Sequence, residues 1–267
     1  MSIRFKFALT VVALAAAASA NATSFASASI GPIQIQLYDL DLTDSVLPSI
    51  VFSNANSSFT QAYATDGLGT VNYIWSPGSS TVGTASITAS TSGATASSLQ
   101  GAQTSISGQA SGGAGGVSAS YWGYISSPYY SSFTLSANTA VRFSTVATLA
   151  VSTTVGTSPT ASGAEFARAE VSFFANGYVD HYSQNSNASI YDYVGSNAGQ
   201  KSFTETLHAS LMNFSTSAMS GTVTAQTYIS GNSNIAAAVP EPETSAMLLA
   251  GLGVIGAVAR RRRARSL

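Results

Sequence analysis

Residues able to do chemistry are few in this chain and fall in four short stretches. In YDLDLTD, Asp39, Asp41 and Thr43 keep the D-x-D-x-T order of a phosphoryl-accepting aspartate and its partner acid. That chemistry also needs a lysine and a later acidic pair on an alternating βα scaffold. The body offers one lysine, Lys201, with no acidic pair after it and no βα alternation. As a calcium loop, Asp39, Asp41 and Asp44 lack the glycine at the turn and the bidentate glutamate at the twelfth position, where Ile50 stands. Asp180 and His181 in NGYVDHYSQN are the most enzyme-like pair. However, no G-x-S-x-G elbow supplies a nucleophile, and His208 falls on the polar parity of its strand, so Asp180 and His181 read as a solvated turn. Glu165 and Glu170 would be the acid pair of a glycosidase, but five residues apart on a strand they face opposite sides. The fourth stretch, YWGYISSPYY, gathers Tyr121, Trp122, Tyr124, Tyr129 and Tyr130. Rings stack on sugar faces and their polar tips find hydrogen bonds, so these five are candidates for sugar contact. The other reading of the same stretch is a strand and turn whose rings cap the fold. Thr222 and Thr224 form a single Thr-x-Thr element, short of the flat, regularly spaced array that ice recognition needs. No cofactor is expected.

Strands must position these residues, because period-two alternation is the repeated pattern. In SIGPIQIQLY, Ile33, Ile35 and Leu37 share one parity against Gln34 and Gln36; in AVRFSTVATLAV one parity holds Val141, Phe143, Ala147, Leu149 and Val151. EFARAEVSFFANG sets Ala167, Ala169, Val171 and Phe173 against Arg168, Glu170 and Ser172. SFTETLHASLMN sets Phe203, Leu207, Ala209 and Leu211 against Thr204, Thr206, His208 and Ser210, and GTVTAQTYIS adds Val223, Ala225 and Ile229. No stretch of the body carries a sustained helical apolar stripe. One buried and one solvated face per strand predicts an all-β fold of antiparallel sheets stacked as a β-sandwich, with jelly-roll-like and Ig-like strand orders both open. Breaks are expected at TSPTASG, FANGYVDHYSQNSNAS and MNFSTSAMSG. Residues 76–120 are dominated by Ser, Gly, Ala and Thr. They leave two readings open, a low-complexity loop that buries little or strands of small residues.

Charge excludes one class of partner. The net charge is −1, yet seven of the ten basic residues sit in the terminal segments: Arg4, Lys6, Arg260, Arg261, Arg262, Arg263 and Arg265. The rest of the chain holds Arg142, Arg168 and Lys201 against nine acidic residues. Neutralising phosphates takes a clustered basic surface, so no nucleic-acid partner is expected. With no cysteine there is neither a disulfide framework nor a thiolate metal site.

The two ends read as targeting segments. MSIRFKFALTVVALAAAASANA has a basic start, an apolar run and small residues at Ala18, Ala20 and Ala22, the layout of a secretory signal peptide cleaved after Ala20 or Ala22. Residues 245–259 are uncharged, and at about 1.5 Å per helical residue they span about 22 Å, short of a hydrocarbon core of about 30 Å. A helix there crosses only with snorkelling arginines or local thinning, and Arg260, Arg261, Arg262 and Arg263 supply the inside stop. Gly251, Gly253 and Gly256 spell G-x-G-x-x-G, but no strand precedes them and no acidic residue follows at the required distance, so they are not a dinucleotide site.

Val239, Pro240, Glu241 and Pro242, a short apolar helix and an arginine cluster together resemble the PEP-CTERM protein-sorting signal. The resemblance covers residues 240–267 with a signal peptide at the other end. It implies that a membrane-embedded exosortase recognises Pro240, Glu241 and Pro242 and cleaves there. The protein would then be released or re-attached at the surface of a Gram-negative bacterium that makes extracellular polysaccharide. The expected organisation is a signal peptide over 1–22, a sandwich body over 23–238, and a sorting signal over 239–267 whose transmembrane helix is 245–259. The expected function is that of a non-enzymatic cell-surface or extracellular-matrix protein associated with exopolysaccharide or biofilm, with a carbohydrate-binding module second and a hydrolase centred on His181 third. Expected partners are signal peptidase, exosortase, the inner membrane in transit and extracellular polysaccharide.

Overall fold

The computed structural model describes residues 22–53, 59–77, 85–100, 104–111, 118–126, 131–154, 165–195 and 197–234, together with Gly251, which is helical. Apart from Ala22 and Gly251, the expected signal-peptide and transmembrane helices lie outside the described residues. So do Pro240, Glu241, Pro242 and Arg260 to Arg263. Among the described residues no helix is long and apolar enough to cross a membrane.

The body, within Ala20–Ile235, is all-β. Its strands are β1 (Thr23–Ile30), β2 (Gln34–Asp39), β3 (Ile50–Phe52), β4 (Phe59–Thr65), β5 (Val71–Pro77), β6 (Ala85–Ser90), β7 (Ala94–Gln100) and β8 (Thr104–Ser111). They continue with β9 (Ser118–Ser126), β10 (Ser131–Leu135), β11 (Thr139–Thr153), β12 (Phe166–Val179), β13 (Tyr182–Val194), β14 (Gly199–Asn213) and β15 (Met219–Asn234). The first sheet runs β14-β11-β1-β8-β7-β6, with β2 beside β11. The second runs β13-β12-β15-β9-β4-β5, with β10 on β15 and β3 on β10. Every ladder is antiparallel.

The sheets pack face to face because the long central strands bury one parity. β1 and β11 lie against β12, and β7 and β8 against β9. One core unites both inner faces, including all the residues expected inside on β11, β12 and β15. Around β4, β7, β8 and β9 it sets Ile106, Tyr121 and Ile125 among Ala62, Ala64, Ala94, Ala96, Ala110 and Ala119; elsewhere Phe133, Phe143, Phe173, Leu211 and Met219 fill it. β1 and β2 run along β11 as one strand interrupted at Gly31, Pro32 and Ile33. There the Gly31 amide donates to the Val146 carbonyl at 2.8 Å and the Thr145 hydroxyl to the Gly31 carbonyl at 2.8 Å. The insertion is a bulge, and it exchanges the buried parity from Ala26, Ala28 and Ile30 to Ile33 and Leu37.

One of two open readings is taken up and two expectations change. The described part of 76–120 forms β6, β7, β8 and the start of β9, because alanine and serine suffice where two sheets approach closely. The break expected over 174–189 shrinks to Asp180 and His181, whose φ values of 47° and 73° make a two-residue type I′ turn. The polar run after it, Gln184 to Ser189, is the edge strand β13, where amides and hydroxyls meet water. Finally, Ile35 and Phe203, expected inside, are 43% and 47% exposed. Phe203 lies on the first half of edge strand β14, which has solvent on both sides.

Candidate functional site

Among its described residues the outer face of the second sheet carries twelve aromatic rings: Phe59, Tyr63, Tyr73, Trp75, Trp122, Tyr124, Phe166, Phe174, Tyr178, Tyr191, Tyr193 and Tyr228. Each occupies the outward parity of its strand, and the register lines most of them up across the sheet. One line runs Tyr193, Arg168, Ser230, Trp122, Tyr63, Tyr73; the next runs Tyr191, Glu170, Tyr228, Tyr124, Gln61, Trp75. At about 4.8 Å between strands each line reaches about 24 Å, and two residues of rise set the lines about 7 Å apart.

The rings support one another. Trp122 lies 5.9 Å from Tyr63, nearly parallel at 16°, and 5.9 Å from Tyr73. Phe59 sits 5.2 Å from Tyr124, and Phe166 6.2 Å from Tyr193. The Arg168 guanidinium lies 5.1 Å from the ring centres of both Tyr191 and Tyr228, a cation between two π faces. It also donates to Glu170 at 2.8 Å, which cancels its charge. Burial pushes the Tyr124 hydroxyl pKa up, and the Ser126 hydroxyl offsets this only in part. Tyr73 and Trp75, on the edge strand β5, are 51% and 54% exposed and leave ring surface for a ligand.

Of the five residues expected to contact sugar, the structure keeps Trp122 and Tyr124 on this face, while Tyr129 and Tyr130 lie outside the described residues. Tyr121 is corrected. Alternation turns it inward, where it is 2% exposed and a core residue. Its ring fits only because Gly108 and Gly231 are glycines: a Cβ on either would stand 2.1 Å and 2.3 Å from ring atoms. Burial pushes the Tyr121 hydroxyl well above the usual phenol range, with the Ser24 hydroxyl opposing. The sequence reading missed Tyr63, Tyr73, Trp75, Tyr191, Tyr193 and Tyr228. Their common signal is an aromatic residue on the polar parity of an alternating strand.

The other candidates are dispersed. Asp180 accepts a hydrogen bond from the Ser215 hydroxyl, and both turn residues are exposed. His181 lies between β12 and β13 of the second sheet, whereas His208 is exposed on β14 of the first. Glu165 is buried and accepts from the Thr154 amide at 3.4 Å, while Glu170 is outside on the aromatic face. Around YDLDLTD the aspartates tie off their own loop: Asp39 accepts from the Asp41 amide at 3.0 Å, Asp41 from the Thr43 hydroxyl at 2.6 Å, and Asp44 from the Asn138 side chain at 2.6 Å. The Thr43 side-chain and backbone bonds hold Asp41 below the usual carboxylate range. Among the described residues no three His, Cys, Asp or Glu are placed to hold a metal ion.

Fold and site together define an all-β protein of two packed antiparallel sheets with an aromatic outer face. Residues 238–263 match the PEP-CTERM protein-sorting motif, the signal that the C-terminal residues resemble. No curated protein and no solved structure matches the chain. The motif implies export, processing by exosortase and membrane-associated sorting.

Proposed function

We propose that this is a non-enzymatic protein of the cell surface or extracellular matrix that adheres to extracellular polysaccharide through the outer face of its second sheet. The observation that carries this reading is the pair of aromatic lines running over adjacent strands. Folding does not require twelve rings on outward positions. Aromatic faces stack on the C–H faces of sugar rings, while tyrosine hydroxyls and Gln61 meet their hydroxyls. A contiguous exposed apolar patch on a protein routed out of the cell suits a surface ligand. The sorting motif supplies the route, and the resemblance implies a polysaccharide-rich destination.

The separation of His181, His208 and Glu165 on different elements supports the non-enzymatic part. Asp180 is engaged by Ser215, and Glu170 by Arg168.

The test is retention on the producing cell. Wild-type protein is expected to co-sediment with the cell's own extracellular polysaccharide, and the double variant Trp75→Ala/Trp122→Ala to stay in the supernatant. Equal retention of the two proteins would remove the aromatic face from the function. Removing residues 240–267 is expected to change the mature mass and location of the protein while purified protein still binds polysaccharide.

A further inference from the structure

The aromatic face contains one polar depression. A cavity of about 240 Å³ is lined by Tyr124, Arg168, Glu170, Ser172, Gln226 and Tyr228. It is smaller than the range of about 300–1,000 Å³ that holds drug-sized ligands, so it suits a single residue of a longer chain. Tyr124 and Tyr228 pair across β9 and β15, and Gln226 and Ser172 pair across β15 and β12 one step along. The site thus has rings on one side and hydrogen-bonding groups on the other. The Glu170 carboxylate accepts from the Ser172 hydroxyl at 3.3 Å and from Arg168 at 2.8 Å. Among the described residues nothing engages the Gln226 amide.

Resting on the polysaccharide reading above, we propose that this depression is a subsite for one neutral pyranose unit. Gln226 would bond its ring hydroxyls and Glu170 would accept from one of them, while the chain continues over Tyr63, Trp122, Tyr73 and Trp75. Neutrality follows from the charges. Arg168 is held between Tyr191 and Tyr228, its Nη2 is bound to Glu170 and its Nε is buried, so in this arrangement no pair of N–H groups is open to grip a carboxylate from two sides. A uronic acid entering the depression would meet the Glu170 carboxylate instead.

Tryptophan fluorescence titration of the full-length protein with a neutral gluco-oligosaccharide and with an oligogalacturonide of equal length tests this. The neutral ligand is expected to bind at least tenfold tighter. Gln226→Ala is expected to weaken it about tenfold with an unchanged unfolding midpoint, and Glu170→Gln to narrow the gap between the two ligands. Equal or tighter binding of the uronide, or no effect of Gln226→Ala, overturns the subsite. If the cell's own polysaccharide is still retained in those cases, the broader reading stands; if the polysaccharide is not bound at all, both fall.

A second inference rests on a different observation. Ala22 is 2% exposed, and its carbonyl accepts a bond from the buried Ser233 hydroxyl at 2.5 Å. The next residue opens β1, which lies between β11 and β8 inside the first sheet. We infer that the leader is cut between Ala20 and Asn21, so that the mature protein keeps Ala22. The patterns ending at Ala20 and at Ala22 serve a signal peptidase equally well. A cut after Ala22 removes the acceptor of the Ser233 bond. Hydrolysis adds water across the Ala20–Asn21 amide, leaving a carboxylate on Ala20 and an amine on Asn21. N-terminal sequencing of the exported protein should read Asn-Ala-Thr-Ser; a start at Thr23, or an uncut Met1, overturns the inference. Protein purified with Thr23 as its first residue is expected to unfold at lower denaturant than protein beginning at Asn21, and an equal midpoint also counts against it.

Discussion

The two outer faces of the sandwich rest on the same backbone pattern and present different chemistry. The first sheet shows water mostly hydroxyls, with Phe25 and Tyr38 its outward rings among the described residues and Val146 and Met212 beside them: Ser27 pairs with Ser107, Ser107 with Ser97, and Ser29 with both Ser105 and Thr148. Those hydroxyls bond one another, Ser97 to Ser107 at 3.0 Å and Thr148 to Thr204 at 3.2 Å. At equivalent outward positions the second sheet shows rings. Outward positions of a sheet tolerate many side chains, and on the first face small hydroxyl residues fill most of them. Twelve rings among the described residues of the second face, against two on the first, go beyond what folding asks, and that difference marks the surface with a task.

The contrast between inward and outward positions breaks most visibly at Tyr121 and its neighbour. Tyr121→Ala should cost about 3–5 kcal/mol in a denaturant melt, because it empties a fully packed aromatic site. Gly108→Ala should cost about 1–3 kcal/mol by overpacking the same ring. Trp75→Ala sharpens the contrast between faces: polysaccharide affinity should fall about tenfold, or about 1.4 kcal/mol, while the melt barely moves. On the first sheet, Ser107→Ala should leave binding unchanged and stability within about 0.5 kcal/mol. Retained binding in Trp75→Ala, or lost binding in Ser107→Ala, would erase the distinction.

The smallest effect sits where the two sheets meet. Asp66, in the turn from β4 to β5, accepts from the Leu68 amide at 3.0 Å, the Thr70 amide at 3.1 Å and the Ser92 hydroxyl in the β6–β7 turn at 3.2 Å. Burial pushes its pKa up, but the bonds from Thr70, Leu68 and Ser92 outweigh it and hold the carboxyl below its usual range. A depressed folded-state pKa adds stability above the unfolded-state value, and that contribution disappears as pH falls through the folded value. Melting temperature should therefore drop on acidification below the ordinary carboxylate range, with a shallower drop in Asp66→Asn. An identical pH profile in the variant would remove Asp66 from the seam.

Much of the fold was legible along the chain. The inward sets on β11, β12 and β15 follow from alternation alone, since a strand with one buried face must repeat every two residues. The site was legible only in pieces. Trp122 and Tyr124 were visible as part of a cluster in sequence, but that cluster also contained Tyr121, which the same alternation assigns to the core. Clustering along the chain and clustering in space are different things in a sheet. The Asp180–His181 turn was read from the chain, but the strand that follows it, β13, was hidden because polar residues on an edge strand look like a loop. The parity change between β1 and β2 was hidden because nothing in the alternation announces a bulge.

By itself, the sequence determined the all-β class, the inward residues of the long strands and the sorting segment, because each depends on patterns within a few tens of residues. Only the tertiary structure decided which strands are neighbours. β9 lies between β4 and β15, and β12 between β15 and β13. That order brings Trp75, Trp122, Tyr124, Tyr228 and Tyr191 onto one surface although 153 positions separate Trp75 from Tyr228. Strand pairing is settled by how two whole inner faces pack and register, a collective property that no local stretch encodes.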